Sequence, residues 1–115
     1  MLKTSRYINS GGIPAFNKPT TLYTVPTATT AVIKSILVSE DSGNADTITV
    51  TITDTDAAVF SLFNVKAISA SGTSELLSAP LVAQESEIVK VTAATANRLH
   101  VVLSALEIKK REVTT

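Results

Sequence analysis

The side chain best suited to proton transfer at neutral pH is a single histidine, His100. A nucleophile–histidine–acid triad is formally open to it, because hydroxyls and carboxylates are plentiful. Nothing in the spacing selects a nucleophile, and a mid-strand histidine on a polar patch or an interface accounts for the residue as well. Glu40, Asp41, Asn44 and Asp46 gather several oxygens in one short stretch, and calcium takes about 6–8 oxygen ligands. The spacing does not match an EF-hand loop, and Asx residues at a hairpin turn explain the cluster more simply. Whether the loop holds calcium is open at this level.

Thr47, Thr49, Thr51 and Thr53 form a row of hydroxyls. The row resembles the threonine arrays of ice-binding proteins, but those need several strands in register and only one strand shows it here. A solvated sheet face is the plainer account. Carbohydrate stacking would need exposed aromatics, yet the chain has no Trp, and Phe60 and Phe63 lie in an apolar stretch. No glycine-rich loop could cradle a phosphate, and no basic surface interleaved with aromatics suits single-stranded nucleic acid. Ten basic and ten acidic residues cancel, which gives no electrostatic case for nucleic acid or an anionic membrane. With no cysteine there is neither a disulfide framework nor a thiolate zinc site. No cofactor is implied, and the expectation is a protein that is not an enzyme.

The elements that would carry these residues are strands. Ser and Thr make up a quarter of the chain, 44% of residues are apolar and 17% charged. Ordinary domains are about 25% charged. Thr21–Val25 reads as a short strand that ends at Pro26, and 27–30 as a connection. Ala31–Ser39 reads as a strand apolar on both faces, with Ile33 and Leu37 on one of them. Asp46–Thr53 has a period of two, with Ile48, Val50 and Ile52 inward and the threonines outward. Val59–Val65, Glu75–Ser78, Leu81–Ala83, Glu87–Ala93 and Leu99–Ile108 follow, separated by turns. Leu99–Ile108 is again apolar on both faces, with Val102 and Leu106 on the second. No segment has a helical period. About eight strands at these spacings predict an all-β antiparallel sandwich, jelly-roll-like, with an immunoglobulin-like sandwich as the alternative.

Residues 1–19 form an arm without usable period, 20–108 the sandwich, and 109–115 a charged tail. The opening MLKTSRYINSGG lacks the apolar core of a secretory signal, and no apolar run approaches the roughly 20 residues of a membrane span. The arm carries Tyr7, Ile8, Ile13 and Phe16, which suit docking either on its own domain or on a neighbour. Two-sided apolar strands exceed what one small sandwich buries, and the excess marks an interaction surface. The expected partner contacts are Tyr7, Ile8, Ile13, Phe16, Ile33, Leu37, Val102 and Leu106.

The stretches LYTVPTATTAVIKSILVSE (22–40) and VKVTAATANRLHVVLSALEI (89–108) resemble the opening and the closing hairpin of small virion structural proteins of tailed bacteriophages. Leu22, Tyr23, Thr24, Pro26, Thr29 (or Thr30), Ala31, Lys34 and Ile36 match the opening pattern. The likeness covers 20–108 and its motifs are structural, with no counterpart for 1–19. It implies a non-enzymatic virion protein made in the host cytoplasm. The leading expectation is a capsid cement or decoration protein, a homotrimer contacting the major capsid protein or other virion proteins at the capsid surface. A neck, tail or baseplate component is the alternative, and a receptor- or glycan-binding module a further one.

Overall fold

The protein's computed structural model describes residues 2–9, 13–14 and 18–111. Among them there is no helix, and ten strand segments build two antiparallel sheets. In chain order these are β1 (Leu2–Asn9), β2 (Ile13–Pro14), β3 (Thr20–Thr24), β4 (Thr29–Glu40), β5 (Asp46–Thr53), β6 (Val59–Ile68), β7 (Thr73–Glu75), β8 (Leu81–Ala83), β9 (Ile88–Ala93) and β10 (Leu99–Arg111). β1 and β2 share one position beside β10, and β7 and β8 share another beside β4. Counted by position, the chain has eight strands. The sheets then run 1-8-3-6 (β1/β2, β10, β4, β7/β8) and 2-7-4-5 (β3, β9, β5, β6).

That order has a simple origin. A long hairpin that pairs 1 with 8, 2 with 7, 3 with 6 and 4 with 5 gives it when rolled so that 8 also meets 3 and 7 meets 4. This is the jelly roll, two Greek keys in one barrel-like sandwich. The immunoglobulin alternative falls away, because there the first two strands share a sheet, whereas here β1 and β3 lie in different ones. Pro26 stands in the link from β3 to β4, where the chain leaves one sheet for the other. Val25 is held there by its N–H to Glu87 O at 2.9 Å, and its own carbonyl accepts from Ser86 N.

β5 follows the period-two pattern, with Ile48 and Val50 wholly buried and its threonines partly exposed. β10 alternates as cleanly: Leu99, Val101, Leu103 and Ala105 have no exposed surface. β4 does not. Ala31 and Ile33 are buried, and so are Ile36 and Val38, which strict alternation puts on opposite faces. Ser104 pairs with Ser35 but Ala105 pairs with Ile33, so Lys34 is an extra residue. This bulge shifts the phase by one and turns all four apolar side chains inward. The bulge therefore leaves Val32 and Leu37 on the outer face and gathers Ala31, Ile33, Ile36 and Val38 on the inner one, which makes Ile33 a core residue. Full burial of such a side chain is worth about 1.5–3 kcal/mol.

β1 and β2 have no sequence signal for strands, yet β1 pairs along β10 from Leu2–Arg111 to Asn9–Ser104, and β2 sets Ile13 against Val101. Backbone hydrogen bonding to a long neighbour, rather than side-chain alternation, places the arm on its own domain. Phe16 lies outside the described residues. The middle strands differ in extent: β6 runs on to Ile68, and β7 is Thr73–Glu75 rather than Glu75–Ser78.

Candidate functional site

His100, on the outer side of β10, has its Nδ1 3.1 Å from Asp41 Oδ2, with both side chains well exposed. Register places Ser39 directly opposite His100, so the three residue types of a hydrolytic triad come together. No hydrogen bond joins Ser39 to His100, and the three stand on open sheet surface. There water, rather than preorganised donors, would solvate an oxyanion.

The loop oxygens are committed elsewhere. Glu40, at the end of β4, is buried, and its carboxylate accepts Ser42 N (2.8 Å), Gly43 N (2.9 Å), Ser71 N (2.9 Å) and the Ser42 hydroxyl. Burial pushes its pKa up, but these hydrogen bonds from Ser42, Ser71 and Gly43 outweigh it and hold the group at about 2, against 4.5 ordinarily. Glu40 thus clamps the β4–β5 turn, where Gly43 takes φ 82, to the β6–β7 turn. Asp46 Oδ1 accepts Thr47 N and Oδ2 accepts Thr95 N at 3.1 Å. Among the described residues no group of three or more such side chains could hold a metal.

A third carboxylate repairs the bulge. Residues 34–36 of β4 have no strand partner on the side where β7 and β8 leave a gap. Glu75 fills it, accepting Ile36 N at 2.9 Å, Leu77 N at 3.2 Å and the Ser35 hydroxyl. Burial raises its pKa and these hydrogen bonds lower it further, so the carboxyl stays below its usual range. Between the sheets, Tyr23 of β3 donates its hydroxyl to Glu107 Oε2 of β10 at 2.6 Å, with both residues buried.

What remains for function is surface, and the two sheets carry their exposed apolar side chains differently. On the β10 sheet, register aligns Leu106 of β10, Val32 of β4 and Val82 of β8 in one row, with Tyr7 of β1 at the position opposite Leu106. Val102 and Leu37 form a second row, and Ile108 extends the first along β10. Val82 is 53% and Leu37 37% exposed, and Val32, Val102, Leu106 and Ile108 are half-buried. Among the described side chains the patch crosses β10, β4 and β8, with Ser35 and Ser104 between its two rows.

On the β5 sheet the outer face is hydroxylic along β3, β9 and β5. Thr49 faces Thr92, Thr51 faces Lys90 on one side and Ser61 on the other, and Lys90 faces Thr21. The threonine row thus belongs to a polar face over β3, β9 and β5, whereas β6 at the edge leaves Val59, Phe60 and Val65 exposed. An apolar groove of about 230 Å³ lies at the side of the sandwich between Leu62 and Phe63 of β6 and Leu76, Leu77, Pro80 and Leu81. An open hollow of about 420 Å³ at one end is lined by Asp46, Ser69, Thr95 and Arg98 among others.

Of the residues expected to contact partners, Leu37, Val102 and Leu106 share the apolar face and Ile33 lies in the core. Ile8 is at the position opposite Ala105, and Ile13 opposite Val101. Val32, Val82 and Ile108 complete the patch and were not singled out from sequence. Val32 is the outward member of its alternation, a signal hidden by the phase change at Lys34. Val82 sits in a segment of three residues, too short to show a period.

No protein-family model and no curated protein sequence matches the chain. Solved structures do resemble it. One is a protein of Bacillus endospore appendages, described as a novel family of disulfide-linked pili. Its TM-score is 0.60 at 8% identity, over 95% of this chain and 89% of that one. Another belongs to the T13 particle of infectious bursal disease virus, with TM-score 0.60 at 12% identity over 93% of this chain. A third is from the Gx strain of the same virus, with TM-score 0.52 at 12% identity. This chain spans about a third of the viral chains, 31% and 32%. At such identities the likeness is one of fold.

Proposed function

We propose that this chain is a non-enzymatic structural protein of a virion, acting as a cement or decoration protein that binds the outside of a tailed-phage capsid, as a homotrimer. The observation that carries the reading is the contrast between the two outer faces. The apolar β10 sheet, with Leu106, Val32 and Val82 in a row, suits burial against a shell or a neighbouring subunit. The threonine-bearing strands β5 and β9 suit solvent, and the exposed Val59, Phe60 and Val65 form a separate apolar edge on β6. The resemblance of residues 20–108 to small phage virion proteins supports the reading, and so does the jelly roll shared with chains of viral particles. The mechanism is passive. A standard protein interface buries about 1,600 Å², and many modest contacts repeated over a shell act together.

A second reading is favoured by one comparison. The likeness to the Bacillus appendage protein covers nearly all of both chains, which fits a subunit that repeats along a tail, neck or fibre. Disulfide linkage is impossible here, because the chain has no cysteine. Counting copies per particle separates the two. A cement protein is present in hundreds of copies on the shell, and a neck or tail component in far fewer at one vertex. Absence from purified particles refutes both readings.

A further inference from the structure

Three of the five large apolar side chains left exposed among the described residues lie on one strand: Val59, Phe60 and Val65 of β6, each more than half exposed. β6 is an edge of its sheet, with β5 on one side and no described strand on the other. Its free side therefore presents backbone N–H and C=O groups that no strand pairs. Two bulges interrupt it. Val50 pairs with Phe63 and Thr51 with Ser61, so Leu62 is an extra residue, and Asn64 and Val65 share the position beside Thr49. Val65 takes φ 53, a left-handed conformation unusual for a β-branched residue, and its N–H is held by Thr49 Oγ1 at 3.0 Å. Strain of this kind persists where the surroundings fix it, and it gathers at functional sites.

The same edge carries opposite charges at its two ends. Lys66 stands opposite Ile48, and Asp56 lies in the turn beyond the Thr53–Val59 pair. Asp54 Oδ1 accepts the backbone N–H groups of Asp56 and Ala58, which fixes that turn. Lys66 and Asp56 are both exposed, and neither forms an ion pair among the described residues. About seven residue steps separate them along the strand, roughly 23 Å. That exceeds the Debye length of about 8 Å at physiological ionic strength, so they do not neutralise each other within one chain.

We propose that the β6 edge pairs antiparallel with the β6 edge of a second copy, about a two-fold axis through Ser61 and normal to the sheet. Positions along β6 follow from its β5 partners, and an axis at Ser61 matches them face by face. On the outer face Val59, opposite Thr53, meets Val65, beside Thr49. On the inner face Phe60, opposite Ile52, meets Phe63, opposite Val50, where Phe63 lines the apolar side groove. Lys66 meets Ala58, in the turn that carries Asp56 and within reach of a lysine side chain, and the symmetry forms this contact twice. Shifting the axis to Phe60 sets Val59 against Ser61, and shifting it to Phe63 sets Phe60 against Lys66. Each bulged half lies against the regular half of the other copy, as it already lies against regular β5. An extended peptide on this edge leaves Asp56 and Lys66 unpaired unless it carries both charges in the right order, which a second copy does by symmetry. The contact uses β6 and leaves the apolar β10 face free, so it holds or fails separately from the virion reading.

The test introduces Ser61→Cys into the full chain, which has no cysteine of its own. Directly opposed residues on paired strands lie about 4.5–5.5 Å apart, within the span of a disulfide. Mild oxidation therefore converts the variant almost completely to linked pairs, whereas Thr95→Cys, exposed and away from the edge, links little. A three-fold arrangement about position 61 would leave one chain in three unlinked. Sedimentation velocity supplies a second readout. Lys66→Asp and Asp56→Lys each weaken the pairing roughly tenfold or more, while thermal midpoints stay near that of the unmodified chain. An equimolar mixture of the two variants restores pairing, because each contact then joins opposite charges. Three results overturn the proposal: linkage at 61 no greater than at 95, association indifferent to both charge variants, or a mixture that fails to pair. Protection of the thiol at 61 only inside assembled particles, with no pairing in solution, also overturns it and assigns the edge to another component of the particle.

Discussion

Replacing Tyr23 by Phe removes one oxygen and leaves the ring that packs in the core. The lost hydroxyl donates at 2.6 Å to Glu107 Oε2, across the gap between the sheets. Tyr23 is 9% and Glu107 5% exposed, so water does not readily take over the bond. A hydrogen bond to a charged group is worth about 1.5–3 kcal/mol. Glu107 makes other interactions and keeps them, which sets the expected loss for Tyr23→Phe at about 2 kcal/mol. For a domain of this size that corresponds to a fall in Tm of roughly 6–10 °C. Urea unfolding followed by circular dichroism measures it, with the slope unchanged because the exposed surface is the same. Glu107→Gln keeps the acceptor without its charge, and a double-mutant cycle isolates the pair. A Tyr23→Phe loss below about 0.5 kcal/mol, or no coupling in the cycle, refutes the view that this bond ties the sheets together.

Further expectations follow from the bulge, the core and the carboxylates. Deleting Lys34 removes the extra residue and leaves Ala31, Ile33, Ile36 and Val38 on one face by strict alternation, so the core is kept. Deleting Val102 from the regular β10 instead turns half of that strand's apolar side chains out of the core; a urea midpoint lowered as much by the first deletion as by the second would contradict the bulge. Ile33→Ala costs about 2–5 kcal/mol by leaving a cavity, whereas Leu37→Ala four residues on costs under about 1 kcal/mol; equal losses would contradict their placement on opposite faces. Glu40 and Glu75 are held below their unfolded values, so their contribution is complete above the ordinary carboxylate pKa. It is lost as pH falls through the lowered one, for Glu40 from 4.5 toward about 2. The thermal midpoint therefore drops across that window, and Glu40→Gln makes the drop shallower; an identical pH profile in the variant would contradict the clamp.

Most strands were legible because their side chains alternate. β5, β9 and β10 carry the period of two in full, and the turns between them are rich in Asp, Ser and Asn. What escaped has particular causes. β1, with sequence LKTSRYIN, has no alternation, and its pairing is dictated by the free edge of β10. The inward turn of Ile36 and Val38 depends on one extra residue, which no local pattern announces. The apolar face was half visible: Leu37, Val102 and Leu106 lie on long strands, whereas Val82 depends on a short segment delivered by a loop. The Tyr23–Glu107 bond joins the two stretches that carry the phage resemblance, and no reading of either stretch alone connects them.

The account turns on which outer face is covered in the assembled particle. The absence of cysteine makes a direct measurement possible, since a single introduced thiol labels one site. Val82→Cys and Thr51→Cys, each incorporated into particles, are exposed to a maleimide before and after dissociation. The account predicts that the thiol at 82 is protected in the particle and reacts only after release, while the thiol at 51 reacts in both. Equal labelling of the two in the intact particle, or protection of 51 with 82 open, would contradict it.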